Sequence, residues 1–291
     1  MTEPKEPIGS SPGAAAPGPA SGAAQGGPPA IVTVGLTRRF GTFTAVDGLD
    51  LTVPAGSIFG LLGPNGAGKS TTIKMLTTLL PPTGGTARVA GFDVVGEPAQ
   101  VRRRIGYVPQ LVSADGSLTA YENLMVMAKI YGVPRAERRD RVLQVLEFMG
   151  LSDVAHTLVS RFSGGMVRRL EIAQSMLHRP AVLFLDEPTV GLDPVARRSV
   201  WEHIQRLRSD YGTTILVTTH YMDEADQLCD RVAIMHRGRV VTVGTPAELK
   251  AAVGPDATLD DVFAHFTGSS IAEGGSYRDA VRARRVARRL G

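Results

Sequence analysis

Short apolar runs alternate with stretches of helical periodicity along most of this chain, and turns rich in glycine or proline separate them. One run, from Ala181 to Leu185, is apolar at every position and ends in Asp186 and Glu187. An uninterrupted apolar strand of this kind is typical of a sheet that is covered on both faces. Because such strands alternate with helical segments, the pattern predicts an α/β fold.

The periodicity becomes purely helical in the middle of the chain. Thr119 and Glu122 have the spacing of a capping box, and apolar residues then recur at helical intervals. A second helix is predicted over 134–149, with Leu143 on its apolar face. We therefore predict an all-helical insert over about 111–158, between two parts that are rich in β strands.

Composition places the folded part of the chain between two tails. The 291 residues are 43% hydrophobic and 21% charged, which is ordinary soluble composition and enough for a sizeable core. Residues 1–30 consist mostly of Pro, Gly, Ala and Ser, which predicts a disordered tail. Residues 268–291 form an Arg-rich tail, so one domain is predicted over 31–267.

Charge and cysteine content exclude several classes of protein. The net charge is +4, and residues 271–291 account for all of it with six Arg against two acidic residues. A basic tail on a neutral body gives no reason to expect a nucleic-acid partner. The single Cys229 excludes an intramolecular disulfide and a cysteine-based zinc site. We also expect no membrane span and no signal sequence, because neither apolar pattern occurs.

The clearest chemical motif lies between a predicted strand and a predicted helix. It matches the phosphate-binding P-loop pattern of glycine, any four residues, glycine, lysine, and serine or threonine. Its glycines let backbone N–H groups approach a phosphate, while Lys69 would reach the β- and γ-phosphates and Ser70 would coordinate Mg²⁺. The motif predicts a nucleotide site made by Gly63, Pro64, Asn65, Gly66, Ala67, Gly68, Lys69, Ser70 and Thr71.

Two acidic residues and a second glycine loop extend this prediction. Asp186 ends a buried strand in the Walker B pattern and would hold the Mg²⁺, while Glu187 could accept a proton from an attacking water. Ser163, Gly164 and Gly165 open another predicted helix, whose N–H groups form a second anion-binding surface. Since the chain has one P-loop, this second surface suggests a nucleotide that is held between two subunits.

With these motifs in this order, the chain resembles the ATP-binding subunit of ABC transporters over about residues 31–267. The resemblance implies a P-loop NTPase core with an antiparallel β subdomain and an inserted α-helical subdomain, and ATP and Mg²⁺ as cofactors. It makes Ser163, Gly164 and Gly165 the signature loop. It also implies roles for four further residues: the Q-loop Gln110 as a sensor of the γ-phosphate and a Mg²⁺ ligand, the switch His220, the D-loop Asp193 at a dimer contact, and Phe40 stacked on adenine.

The resemblance also implies a mechanism and partners. Two ATP-binding subunits, expected as a homodimer, would close head to tail around two ATP molecules, each between Lys69 of one chain and Ser163 of the other. Glu187 would deprotonate the water and His220 would stabilise the transition state. The helical insert would pass the motion to a separate transmembrane permease. The chain would therefore sit at the cytoplasmic face of the cell membrane, in peripheral contact with it.

One position departs from the family pattern. The fifth signature residue is usually glutamine, whereas this chain has Met166, followed by Val167 and two arginines. Because the phosphate contacts belong to Ser163 and the glycine N–H groups, we expect ATP binding to survive this change. The methionine, together with the stretch 219–226, resembles the drug-resistance and polyketide-export branch. Export of drugs, antibiotics or lipid-like compounds is therefore the favoured function.

Other functions remain open at this point. An ABC importer shares these motifs, although only 71 residues follow His220, which disfavours importers with an added regulatory domain. A DNA-repair type of ATPase would place a long coiled coil between Lys69 and Asp186, and the 117-residue separation is too short for one. A soluble protein that sequesters drugs without hydrolysis is the alternative from another class. The Arg-rich tail is either a solvated helix or a contact with anionic lipid head groups.

Overall fold

The computed structural model describes residues 27–268. The predicted Arg-rich tail except residue 268, and all of the predicted disordered tail except residues 27–30, lie outside these residues. Ala30 is buried, and its N–H donates to the carbonyl oxygen of Val53 at 2.9 Å. Regular structure begins at the next residue, Ile31.

The strands of the described chain form two sheets. Strands rich in β-branched and aromatic residues suit the half-buried surfaces that both sheets provide. In chain order they are β1 (Ile31–Phe40), β2 (Phe43–Val53), β3 (Ile58–Leu62), β4 (Gly84–Val89), β5 (Phe92–Asp93), β6 (Ile105–Val108), β7 (Val182–Asp186), β8 (Thr214–Thr219), β9 (Arg231–His236) and β10 (Arg239–Gly244).

The helices lie between these strands, as the alternating pattern predicts. Two short 3₁₀ helices, Ser152–Val154 and Val159–Arg161, close the helical insert. The α-helices are α1 (Lys69–Leu76), α2 (Pro98–Arg104), α3 (Ala120–Ile130), α4 (Arg138–Phe148), α5 (Gly164–Met176), α6 (Pro194–Tyr211), α7 (Met222–Leu228), α8 (Pro246–Val253) and α9 (Leu259–Thr267). Among the described residues, no helix has both the length and the apolar composition to cross a membrane.

The larger sheet has six strands in the order β10-β9-β3-β8-β7-β6, and every pair except β10–β9 is parallel. The smaller sheet is antiparallel, in the order β2-β1-β4-β5. Because parallel strands run in the same direction, β3, β6, β7 and β8 all end at one edge of the larger sheet. Ligands of open α/β sheets bind in the crevice outside this carboxyl edge.

Each face of the larger sheet packs in a separate apolar core. Along β7, Leu183 and Leu185 join the core that contains the helical insert, whereas Phe184 joins the core shared with α1 and the smaller sheet. All five residues of β7 are buried, as the unbroken apolar run predicts. Successive side chains of β7 point to opposite faces of the sheet, and a core covers each face. The strand therefore has no polar face.

The structure confirms a helical insert and changes two details of the sequence prediction. Thr119 and Glu122 form the predicted capping box at the start of α3. Leu143 does not lie on the buried face of α4, since 43% of its surface is exposed. The sequence predicts that the helix after the P-loop runs to Leu80, where Pro81 and Pro82 stop it. The helix instead ends at Leu76, and Thr78 takes a left-handed backbone conformation with φ of 63°. These departures lie outside the predicted nucleotide site.

Candidate nucleotide-binding site

The carboxyl edge of the larger sheet brings six predicted site residues together. Lys69 and Ser70 begin α1 after β3, while Asp186 ends β7 and Glu187 follows it. Gln110 follows β6, and His220 follows β8. Four contacts connect them: Lys69 Nζ to Glu187 Oε1 at 3.2 Å, Ser70 Oγ to Asp186 Oδ1 at 3.0 Å, Gln110 Nε2 to Glu187 Oε2 at 3.2 Å, and His220 Nδ1 to Glu187 Oε1 at 3.3 Å.

Two glycines of the loop occupy positions that no other residue fits. Gly63 and Gly68 have φ values of 154° and 108°, which L side chains rarely adopt. A Cβ at Gly63 would overlap the carbonyl oxygen of Met235, and one at Gly68 would lie 2.6 Å from the carbonyl oxygen of Ala45. The loop is therefore pressed against β9 on one side and against β2 on the other. This packing fixes the path of the loop into α1.

Lys69 is buried at the centre of the site, with 4% of its surface exposed. Its ammonium group donates hydrogen bonds to the carbonyl oxygens of Gly63 at 2.6 Å and Pro64 at 3.2 Å, and it pairs with Glu187. Burial lowers the pKa of Lys69 from its ordinary value, against the attraction of Glu187 and Asp186. A cation held in this way beside backbone N–H groups suits the phosphates of a nucleotide.

Glu187 has a strained backbone and a side chain with three polar neighbours. Its φ of 49° is left-handed, a conformation that costs a residue other than glycine about 1–3 kcal/mol. Its N–H donates to the carbonyl oxygen of Thr218 at 3.1 Å and to the Thr218 hydroxyl at 3.0 Å. Burial opposes ionisation, but His220 and Lys69 outweigh it and hold the pKa of Glu187 below its ordinary value. The strained turn directs an ionised carboxylate toward the P-loop lysine.

Thr218 is a site residue that the sequence analysis missed. It is fully buried on β8, and the register of the sheet pairs it with Asp186 on β7. Its hydroxyl donates to Asp186 Oδ1 at 2.6 Å. A hydroxyl residue at the carboxyl end of a buried parallel strand is the signal that could have identified it. Thr218 therefore holds Asp186 through its hydroxyl. It holds the N–H of Glu187 through both its carbonyl oxygen and its hydroxyl.

The loop that carries Gln110 is held by a buried ion pair on α5, which the sequence analysis also missed. Arg168 Nη1 donates to the carbonyl oxygen of Pro109 at 2.9 Å and pairs with Glu171 Oε2 at 3.0 Å. Glu171 Oε1 accepts hydrogen bonds from the N–H of Ser113 at 2.5 Å and from its hydroxyl at 3.0 Å. Polar residues three apart on a buried helix face were the available signal. The ion pair connects the Gln110 loop to the helix that begins at the second glycine loop.

The second glycine loop has a different environment from the P-loop. Ser163 is exposed and caps α5, with its Oγ accepting from the N–H of Met166 at 3.3 Å. Gly164 is exposed, while Gly165 is buried against α6, where a Cβ would lie 2.8 Å from the Cβ of Ala196. The predicted cap is therefore present. The close approach to α6 explains why a larger residue is excluded at Gly165.

Phe40 and Asp193 lie outside the cluster and make their contacts elsewhere. Phe40 is 45% exposed at the end of β1, and the Arg38 guanidinium lies 4.6 Å from the centre of its ring. Asp193 caps α6, with Oδ1 accepting from the N–H groups of Val195 and Ala196 at 2.9 Å each. An exposed ring is available for stacking, whereas one oxygen of Asp193 already has a role within the chain.

The donor set at the site suits a hard cation. Ser70 Oγ and Asp186 Oδ1 are 3.0 Å apart, and both are oxygen donors of the kind that Mg²⁺ prefers. No group of three or more His, Cys, Asp or Glu residues within 27–268 could hold a metal by itself. Mg²⁺ is commonly held by one or two protein oxygens together with the phosphates of a bound nucleotide, and this habit agrees with the P-loop pattern.

Comparison with known proteins gives the same result as the geometry. A family model described as ABC transporter matches residues 46–190. The chain is 53% identical over 225 residues to the daunorubicin/doxorubicin resistance ATP-binding protein DrrA of Streptomyces peucetius, covering 77% of this chain and 68% of the relative. It is 41% identical over 224 residues to the linearmycin resistance ATP-binding protein LnrL of Bacillus subtilis, covering 77% and 72%.

Solved structures support the fold. A structure described as the ATP-binding subunit of an ABC transporter matches with a TM-score of 0.72 and 30% sequence identity. The match covers 81% of this chain and 99% of the other. The match shows that this chain has the fold of such a subunit.

Proposed function

The chain belongs to the ABC transporter family, and from that premise we propose that it hydrolyses ATP to drive a separate membrane-spanning permease. The observation that carries this proposal is the buried contact between Lys69 and Glu187, 3.2 Å long, next to the 3.0 Å contact between Ser70 and Asp186. These contacts place a phosphate-binding cation next to a carboxylate that can accept a proton. Phosphoryl transfer requires mainly such positioning and charge.

Each residue of the cluster has a distinct role in this proposal. Glu187 orients the attacking water and accepts its proton, and its pKa, which lies below the ordinary value, is consistent with an ionised carboxylate. His220, 3.3 Å from Glu187 Oε1, stabilises the charge that develops on the γ-phosphate. Lys69 and the N–H groups of the loop from Gly63 to Thr71 bind the phosphates. Phe40, exposed at the end of β1, stacks on the adenine.

Three residues would hold Mg²⁺ in this proposal. Ser70 and Asp186 supply adjacent oxygen atoms, and Gln110 supplies its amide oxygen from the loop after β6. When bound, Mg²⁺ neutralises negative charge on the β- and γ-phosphates. The hydrogen bond from Gln110 to Glu187 would place the metal ligand and the proton acceptor in contact. Gln110 can therefore sense the γ-phosphate and report on it to the helical insert.

We propose that a second copy of the chain completes the site. Ser163 and Gly164 are exposed at the start of α5, where the first N–H groups of a helix and the helix dipole favour an anion. In a head-to-tail homodimer each ATP would lie between Lys69 of one copy and the Ser163, Gly164 and Gly165 loop of the other. Asp193, which begins α6 beside this loop, would contribute to the dimer contact.

Export is the direction that we propose, with drugs, antibiotics or lipid-like compounds as cargo. The resistance roles in the names of the two relatives above support this choice. The permease would bind the helical insert, which includes α3 and α4, and would hold the chain at the cytoplasmic face of the cell membrane. An ABC importer, and a soluble protein that sequesters its ligand, are the alternative outcomes of the tests below.

Phosphate release from ATP by the purified chain tests the enzymatic part of the proposal. We expect turnover that requires Mg²⁺ and is lost in Lys69→Ala, because the buried ammonium binds the phosphates. Lys74→Ala is the matched control, since Lys74 is exposed on the same helix and should leave turnover unchanged. Wild-type release no greater than that of Lys69→Ala would favour sequestration.

Transport in everted membrane vesicles tests the direction. Vesicles that contain the chain and a candidate permease should take up fluorescent daunorubicin when ATP is added outside, and vesicles with Glu187→Gln should not. Uptake by an everted vesicle corresponds to export from the cell. Daunorubicin is the probe because a relative is named for resistance to it. Loss of preloaded daunorubicin on addition of ATP would instead indicate import.

A further inference from the structure

A buried carboxylate that the proposed mechanism does not use connects three parts of the site. Glu224 lies on α7 with 0% of its surface exposed. Its Oε1 accepts hydrogen bonds from the Thr189 hydroxyl at 2.8 Å and from the Trp201 Nε1–H at 2.8 Å. Among residues 27–268, its Oε2 is buried without a hydrogen-bond partner. Burying a carboxylate is costly, so a buried one with two donors on a single oxygen calls for an explanation.

Thr189 lies in the turn that contains the strained Glu187. The turn is fully buried at Thr189, and the Thr189 carbonyl oxygen accepts from the N–H of Leu192 at 3.2 Å. A left-handed residue such as Glu187 persists only where its surroundings over-determine the backbone. Thr218 fixes the N–H of Glu187 from one side, and the bond from Thr189 to Glu224 fixes the turn two residues later.

Glu224 also connects the turn after Glu187 to α6, through Trp201, and to the segment after His220, through its place on α7. Trp201 lies on α6, the helix that begins after Asp193, so Glu224 contacts both the turn and the helix that follows it. Glu224 itself is in the first turn of α7, which starts two residues after His220. A second contact joins α6 to the residue that precedes α7, because the Arg197 guanidinium lies 4.5 Å from the centre of the Tyr221 ring. The proton acceptor and the switch histidine are thus connected through one side chain.

We infer that Glu224 is a positioning residue for ATP hydrolysis, which fastens the turn after Glu187 to the helix after His220. This inference rests on the proposed function and assigns a role to a residue outside the proposed nucleotide and Mg²⁺ sites. What matters is an acceptor oxygen at the Oε1 position, not the negative charge, because both contacts there are donated by neutral groups. Loss of that oxygen would release Thr189 and let Glu187 relax out of its strained conformation.

Three substitutions test separately the acceptor oxygen, the charge and the volume of the Glu224 side chain. Glu224→Gln keeps an acceptor oxygen of the same reach, whereas Glu224→Leu keeps a similar volume without an acceptor. Thr189→Val removes the donor on the turn and nearly preserves its shape. Thr33→Val is the matched control, because the Thr33 hydroxyl is also buried and also donates at 2.8 Å, but to the carbonyl oxygen of Leu49 in the smaller sheet.

Steady-state ATP hydrolysis by full-length variants tests the inference. We expect kcat to fall about tenfold or more in Glu224→Leu and Thr189→Val with KM within about twofold, since misplacing a catalytic group lowers turnover more than binding. Glu224→Gln and Thr33→Val should stay within about threefold of wild type. Adding Thr189→Val to Glu224→Leu should lower kcat no further, since both remove one interaction. Emission of Trp201, the chain's single tryptophan, should be the same in Glu224→Gln as in wild type.

Each contrary result has a defined meaning. Near-wild-type kcat in Thr189→Val would overturn the inference, and this variant carries the test if Glu224→Leu does not fold. A loss in Glu224→Gln as large as in Glu224→Leu would also overturn it, because charge would then be the requirement. A lowered melting temperature with unchanged kcat would assign Glu224 a structural role alone. Absence of hydrolysis by the wild type would instead contradict the proposed function.

Discussion

The two surfaces of this chain that suit a phosphate differ in how their polar groups are partnered. At the P-loop, Lys69 is 4% exposed and contacts Glu187 and the carbonyl oxygens of the loop itself. At the second glycine loop, Ser163 and Gly164 are exposed, and the Ser163 hydroxyl contacts only the start of its own helix among the hydrogen bonds of the described residues. One surface is buried and charged, whereas the other is open and neutral.

Position in the fold explains this difference. The P-loop follows β3 in the interior of the sheet, so β8 next to it and β7 on the far side of β8 supply hydroxyl and acidic groups at the same edge. The second loop begins α5, and its donors are the N–H groups of a free helix end. The first surface can therefore provide chemistry, and the second can provide binding. Our proposed dimer joins one of each at every ATP.

Glu187→Gln should have the largest effect and would sharpen the comparison. Removing the proton acceptor should lower ATP hydrolysis by about 10²–10⁴-fold, the range for a general base. ATP binding should persist, because Lys69 and the loop N–H groups remain. Gel filtration with ATP should then show a stable dimer, since the surfaces close without turnover. Hydrolysis at the wild-type rate would remove Glu187 from this role.

Lys69→Ala should have the next largest effect, on binding. Hydrogen bonds to charged groups contribute about 1.5–3 kcal/mol, which corresponds to roughly tenfold to hundredfold weaker ATP binding. Titration with ATP and Mg²⁺ in a calorimeter measures the change, and exposed Lys74→Ala is the control. If Lys69→Ala and Lys74→Ala bound ATP with equal affinity, the buried charge would have no part in binding. The contrast between the two surfaces would then fail.

Ser163→Asp tests the open surface without disturbing the fold. Aspartate caps a helix as well as serine does, so the melting temperature should change little. A negative charge there should repel the γ-phosphate bound to the other copy and lower ATP-dependent dimer formation about tenfold. ATP binding to the single chain should be unchanged. Dimer formation is measured with Ser163→Asp added to Glu187→Gln. If this double variant dimerises as well as Glu187→Gln alone, the result would contradict a head-to-tail site.

Met166→Gln should have the smallest effect. The Met166 side chain is partly buried and packs against the core, while its N–H donates to Ser163. Only the side chain changes, so the cap and the exposed N–H groups remain. We expect kcat and ATP affinity to stay within about twofold of wild type, as for substitutions away from special features. A gain or loss beyond tenfold would show that the fifth position of the loop takes part in the chemistry.

Local patterns in the sequence predict those parts of the site that a short segment determines by itself. Gly63 and Gly68 are needed for backbone conformations that other residues rarely adopt. The P-loop can therefore be identified from its sequence alone. The unbroken apolar run before Asp186 identifies a strand buried on both faces. The roles of Phe40, Ser163 and Asp193 stay predictions, since they concern a nucleotide or a second copy.

Contacts between distant segments are what the sequence does not disclose. Thr218 belongs to no motif, and Glu224 has no predicted role although it lies within the stretch 219–226. Each acts through a residue more than thirty positions away, with separations of 32 to Asp186 and 35 to Thr189. Arg168 and Glu171 read as part of a charged helix, although the fold buries them against the loop of Gln110. Burial and register decide these contacts, and neither follows from local periodicity.

The sequence by itself therefore determines an α/β chain with a P-loop, a buried acidic strand end and a capped glycine loop, because each depends on backbone geometry within a few residues. Tertiary structure alone decides the strand order β3-β8-β7 that brings Lys69, Asp186 and Glu187 to one edge. It also decides that Glu187 is strained and that the hydrogen bond from Thr189 to Glu224 holds its turn. Such contacts arise only after distant segments pack, since burial removes the water that would otherwise satisfy their polar groups.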